Sequence, residues 1–133
     1  MKAHLLAFAL GLLALPGAAL ADPTGSYSVV GENAGGNGQY TGTVEVVRTG
    51  QTYVVYWNIA GKEFVGTGIG AQLFEDSIRM GPATDNDTGL SVGYISEENF
   101  GIAMFFEQED GTWQGVWTYG GGETVAGETW TRR

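Results

Sequence analysis

From residue 25 onward apolar and polar positions alternate with a period of two, the signature of strands that bury one face. Tyr53, Val55, Trp57 and Ile59 interleave with Thr52, Val54, Tyr56 and Asn58 in a β-branched and aromatic run of strand length. Turn punctuation divides the chain into strands expected near 25–31, 39–48, 51–60, 63–69, 72–79, 90–95, 100–107, 112–119 and 124–132. Helix periodicity is nearly absent. The connections are short: Arg48–Gln51, Ala60–Lys62 and Glu109–Gly111 read as hairpins, the last with the Asp-Gly pair that favours a type I′ turn. Consecutive strands are therefore expected to be antiparallel neighbours.

Eight or nine such strands form either a closed meander barrel or a two-sheet β-sandwich. A glycine–aromatic–glycine alternation favours closure. It occurs as Gly38-x-Tyr40-x-Gly42 and Gly111-x-Trp113-x-Gly115, and Phe64-x-Gly66-x-Gly68 repeats its second half. The ring and the following glycine share a strand face, and glycine there lets a ring lie against backbone where a sheet curves tightly. The expected fold is an all-β, single small antiparallel barrel of about eight strands, calycin- or avidin-like in outline. Long connections fall only at Glu32–Gly38 and Gly81–Gly89.

The first 21 residues break the pattern. A basic start at Lys2, an apolar stretch Leu5–Leu15, Pro16-Gly17 and Ala19-Leu20-Ala21 together read as a signal peptide cleaved after Ala21. Eleven apolar residues are too few to span a bilayer, so a stable membrane anchor is not expected. The remaining residues, 22–133, suit one domain, placed in the periplasm or outside the cell. An outer-membrane barrel is disfavoured by the short strands and the Thr131-Arg132-Arg133 ending.

Composition then removes whole classes of chemistry. His4 is the only histidine and the chain has no cysteine, so the mature domain lacks both. Ser-His-Asp and Cys-His catalysis, ordinary zinc sites and His or Cys haem ligation are excluded. Five basic residues against fifteen acidic ones leave the 22–133 domain at −10, a charge that repels nucleic acid and anionic lipid. Asp85-Asn86-Asp87-Thr88-Gly89 resembles the start of a calcium loop, but Leu90 and Ser96 occupy the places of the required glycine and glutamate. Neighbouring carboxylates such as Glu97-Glu98 point to opposite faces of a strand and cannot flank one glycosidic bond. No catalytic residue, metal or cofactor is expected.

Two longer patterns resemble a known group. Tyr27-x-Val29-x-Gly31-x-Asn33, Tyr40-x-Gly42-x-Val44 and Gly50-x-x-Tyr53-x-Val55-x-Trp57-x-Ile59-x-Gly61-x-x-Phe64-x-Gly66-x-Gly68-Ile69 are the first. Gly111-x-Trp113-x-Gly115-x-Trp117-Thr118 with Gly127-Glu128-Thr129-Trp130 is the second. They are similar to a family of small exported alphaproteobacterial β-proteins, some of which carry the label fibronectin-binding protein. The resemblance implies an exported, non-catalytic binding or interaction protein of adhesin type. Two other readings compete with it: a binder of small ligands in an aromatic barrel interior, and an inhibitor of a periplasmic hydrolase. The partner, protein or small ligand, is not named by any motif. For the ligand reading the candidate lining is Tyr27, Tyr40, Tyr53, Trp57, Trp113, Trp117 and Trp130, whose polar tips need partners wherever they are buried.

Overall fold

The computed structural model describes residues 20–133, and nearly all of the expected leader lies outside them. Nine strands form: β1 (Gly25–Glu32), β2 (Gln39–Thr49), β3 (Thr52–Ile59), β4 (Lys62–Phe74), β5 (Ser77–Gly81), β6 (Gly89–Ile95), β7 (Phe100–Glu107), β8 (Trp113–Tyr119) and β9 (Ala126–Arg132). Eight of them close into an antiparallel barrel. The order β3-β2-β1-β9-β8-β7-β6-β4 is sealed by the β3–β4 pairing, and every step is antiparallel. Closure removes the edges that a sandwich would leave, and the fold is the all-β barrel that the alternation predicts.

One strand departs from the expected register of elements. The 72–79 strand does not exist as such, because β4 runs unbroken to Phe74 and turns at Glu75-Asp76 into a separate strand, β5. Gly70 falls in the gap between the strands expected at 63–69 and 72–79, yet it is, like Gly66 and Gly68, a buried interior position of β4 where side chains from neighbouring elements take up the space. β5 pairs with the far half of β4 on the edge where β3 has ended, so it stands outside the closed ring. Its five residues are all exposed.

A second departure is small. The Asp110-Gly111 pair sits in a five-residue connection between β7 and β8, in which Gly111 N–H donates to the Gln108 carbonyl. Gly111 takes positive φ and Asp110 does not, so the turn is not type I′.

Inward-facing side chains fill the middle of the barrel. Tyr27, Tyr53, Phe105, Trp113 and Trp130 are fully buried, with Val29, Val44, Val55, Leu90 and Val92 around them. Phe105 stacks on Trp130 at 3.9 Å between centroids. Interior glycines make room for rings on the paired strand. Tyr40 lies over Gly31, its paired residue on β1, and Phe105 lies over Gly115, its paired residue on β8; a Cβ at either glycine would strike the ring.

The two ends of the barrel differ. One carries the β2–β3 turn, the β7–β8 connection, the 82–88 loop and the segment entering at 22–24. Ala83, Asp87 and Pro23 are buried there and plug it. The other end carries the β1–β2, β3–β4, β6–β7 and β8–β9 connections and stays open.

Candidate functional site

The open end leads into a cavity of about 260 Å³. That sits just below the usual range of small-molecule pockets, roughly 300–1,000 Å³. Its walls are mainly rings: Tyr40 from β2, Trp57 from β3, Phe64 from β4, Tyr94 from β6, and Trp117 and Tyr119 from β8. Edge and tilted contacts join them, with centroids 5.8 Å apart for Trp57–Tyr94, 6.1 Å for Phe64–Tyr94 and 5.0 Å for Trp117–Tyr119. Asn33 and Ala34 of the β1–β2 connection and Lys62 at the start of β4 complete the rim.

An acid lies among these rings. Glu128 is in the inward phase of β9, two residues from Ala126 and two from Trp130, and it is only 7% exposed. Its strand neighbours are Gly31 on one side and Gly115 on the other. Three side chains donate to the carboxylate. Trp130 Nε1 and Trp57 Nε1 both bond Oε1, at 2.5 and 2.8 Å, and the Tyr40 hydroxyl bonds Oε2. Burial raises the carboxyl above the ordinary range for glutamate, and the three donors pull against that rise. The Tyr40 phenol is pushed up strongly, first by burial and then by the Glu128 charge. Tyr40 and Glu128 therefore meet as one hydrogen-bonded pair that holds a proton tightly.

Trp117 differs from the other ring donors of the cup. Its Nε1 is buried and makes no hydrogen bond of normal geometry, with the Tyr40 hydroxyl as its neighbouring acceptor. A donor so placed loses part of the stabilisation of a well-formed hydrogen bond. Tyr94 has no such deficit, since its hydroxyl donates to the Thr118 carbonyl at 2.9 Å.

Of the seven rings singled out from the sequence, the structure brings Tyr40, Trp57 and Trp117 to the cavity. Trp130 supports the Glu128 carboxylate from within the core. Trp113 is wholly buried away from the cavity, its Nε1 unpartnered. Tyr27 and Tyr53 serve the closed end. Tyr27 donates to the Pro23 carbonyl at 2.7 Å beneath the Arg132 guanidinium, and burial pushes its phenol up to about 12. Tyr53 donates to Asp87 at 2.5 Å. Asp87, the would-be calcium ligand, has turned into the barrel, and Asp85 pairs with Arg48 at 3.1 Å.

The sequence reading did not single out Glu128, Tyr94 and Tyr119. A signal for Glu128 was present in Ala126-x-Glu128-x-Trp130, which places an acid in the same phase as two interior residues. Comparison with models of protein families, with curated proteins and with solved structures finds no match.

Proposed function

We propose that this barrel is a non-catalytic binding protein that holds a small, compact, largely apolar ligand in the aromatic cup at its open end. One observation carries the reading: rings from five strands, Tyr40, Trp57, Phe64, Tyr94, Trp117 and Tyr119, line a cavity at the open end with the Glu128 carboxyl in its wall. The rings would cover the ligand's apolar body, and the carboxyl offers an acceptor to a polar group on it. Benzyl alcohol, a ring bearing one hydroxyl, is a suitable first probe. Titration is expected to change tryptophan emission saturably and to raise the melting temperature, since binding only the folded state stabilises it. Absence of both responses at millimolar probe would overturn the reading.

A second reading draws on the outer surface. Leu73, Phe74, Ile78 and Met80 on the β4–β5 hairpin are all exposed, Met80 at 58%, outside the closed ring. An exposed apolar ribbon of this kind supports an adhesin-like interaction with another protein. Retention on immobilised fibronectin, abolished in Ile78→Asp, is the expected result. Binding no stronger than that of a charge-matched control protein would remove it.

A further inference from the structure

We propose that the natural ligand of the cup is an organic cation, an ammonium or alkylated ammonium group on a compact apolar body, with its charge met by Glu128. The proposal rests on the cup being a ligand site and adds the chemistry of the ligand. It begins from an accounting of charge. Glu128 is a buried acid whose three partners, two indoles and a phenol, are all neutral. A buried carboxylate without a cation keeps its charge only at a cost, and beside an open cavity a cationic guest would remove that cost.

Among the described residues every basic side chain is occupied elsewhere or held at the other end. Arg48 pairs with Asp85, and Lys62 Nζ pairs with Glu98 at 3.0 Å on the rim. Arg79 lies over Phe74 on the outer hairpin, and Arg132 lies over Tyr27 while donating to the Thr24 and Asp22 carbonyls. Arg133 follows β9 at the closed end, where its N–H donates to the Ser26 carbonyl. The cation that the acid lacks is thus one that these residues do not supply.

The surroundings of Glu128 suit such a guest. Tyr40, Trp57, Tyr94 and Trp117 line the same cavity as Glu128, and aromatic rings grouped in this way are what cages use to hold ammonium groups. The rim adds a field of the same sign. Glu32, Glu63, Glu97, Glu98 and Glu123 stand on or beside the open-end connections, against Lys62 as the one basic residue among the described residues there. Four of the five basic residues in the described chain lie toward the closed end or on the β5 hairpin beyond it. A mouth of one sign over low-dielectric walls concentrates ligands of the opposite sign.

Three probes of one ring size test this: benzylammonium, benzyl alcohol and phenylacetate, titrated calorimetrically into the purified protein at neutral pH and low salt. The expected order is benzylammonium about tenfold tighter than benzyl alcohol, with phenylacetate not binding. Glu128→Gln is expected to keep benzyl alcohol binding and to lose the tenfold preference, while circular dichroism shows the fold intact. Raising the salt should shrink the preference in the wild-type protein, a reading that does not depend on the variant folding. Equal affinity for the cation and the alcohol, or a preference unchanged in Glu128→Gln, would overturn the cation proposal and leave the cup standing. Failure of all three probes would instead remove the cup reading beneath it.

Discussion

Two buried acids stand near opposite ends of this barrel and are satisfied in opposite ways. Asp87, 2% exposed, accepts from the Thr84 N–H at 2.9 Å, from the Thr84 hydroxyl at 3.0 Å and from Tyr53 at 2.5 Å. Two of those donors come from three residues away, so the loop makes most of its own acceptor site, as Asx residues do in turns. Arg48 then ties the loop down through the Ala83 carbonyl and Asp85, and Asp22 N–H donates to the Asp87 carbonyl. Glu128, by contrast, is held by side chains alone. Two of its three partners lie 71 and 88 residues away, so they arrive only when the barrel closes. An acid that finishes its own loop seals an end. An acid held by distant rings beside a cavity is placed where the proposed cup needs one.

The contrast breaks most severely at Asp87. Asp87→Ala strands the part-buried Thr84 N–H and leaves Tyr53 tied to the loop only through the Thr84 carbonyl at 3.0 Å. We expect a loss of about 3 kcal/mol in urea unfolding, with probe binding at the far end retained in the folded fraction. A loss below about 1 kcal/mol would mean that the plug is held by Arg48 and the apolar contacts instead.

The two tryptophans whose Nε1 atoms lack a normal hydrogen bond sharpen the same contrast at smaller scale. Trp113 is packed on every side, so Trp113→Phe leaves a void and should cost about 2 kcal/mol. Trp117 already borders a cavity, so Trp117→Phe widens an open space rather than creating a void. Its stability should stay within about 0.5 kcal/mol of the wild-type value, while benzyl alcohol binding weakens. Equal losses for both variants would show that the cup is as tightly packed as the core.

Alternation made the barrel legible because inward and outward phases are a local property of each strand. Strand boundaries followed turn chemistry, and the largest miss lies at Gly70-Ala71, where the strand was expected to end and β4 runs on. Gly70 answers to Asp87, as Gly66 does to Val92 and Gly68 to Leu90, a relation that no local window contains. The site was half legible for the same reason. Phase says that Tyr27, Tyr40, Tyr53 and Trp57 all point inward, but not how high each sits. Height is set by cross-strand register, and the plugged end is set by where the 82–88 loop folds. Tyr40 and Trp57 therefore reach the cup while Tyr27 and Tyr53 face the plug.

The acid at the open end also carries a pH signature with a definite sign. Burial holds the Glu128 carboxyl above its ordinary value of 4.5 in the folded protein, so the folded state keeps a proton that the unfolded chain releases. The stability tied to that proton is complete below about pH 4.5 and is lost as pH rises through the raised value. An amide in place of the carboxyl has no such proton to lose. The melting temperature of Glu128→Gln should therefore gain on that of the wild type as pH climbs through this window, then run parallel. Parallel curves throughout would show that the three aromatic donors fully offset burial.

Lys62 is the finest test of how the two ends divide their charges. Its ammonium lines the mouth of the cup but pairs outward with Glu98, and both side chains are substantially exposed. Such a surface pair contributes little to stability, about 0–1 kcal/mol. Lys62→Met should therefore leave the melting temperature almost unchanged. The same substitution removes the one positive side chain that the described residues place at an otherwise acidic rim, and it frees Glu98. Benzylammonium should then bind about twofold tighter at low salt, with the gain lost near 0.5 M salt as screening shortens the field. A weaker affinity after the substitution would instead mark the Lys62 methylenes as part of the wall, placing its contribution in packing rather than in charge.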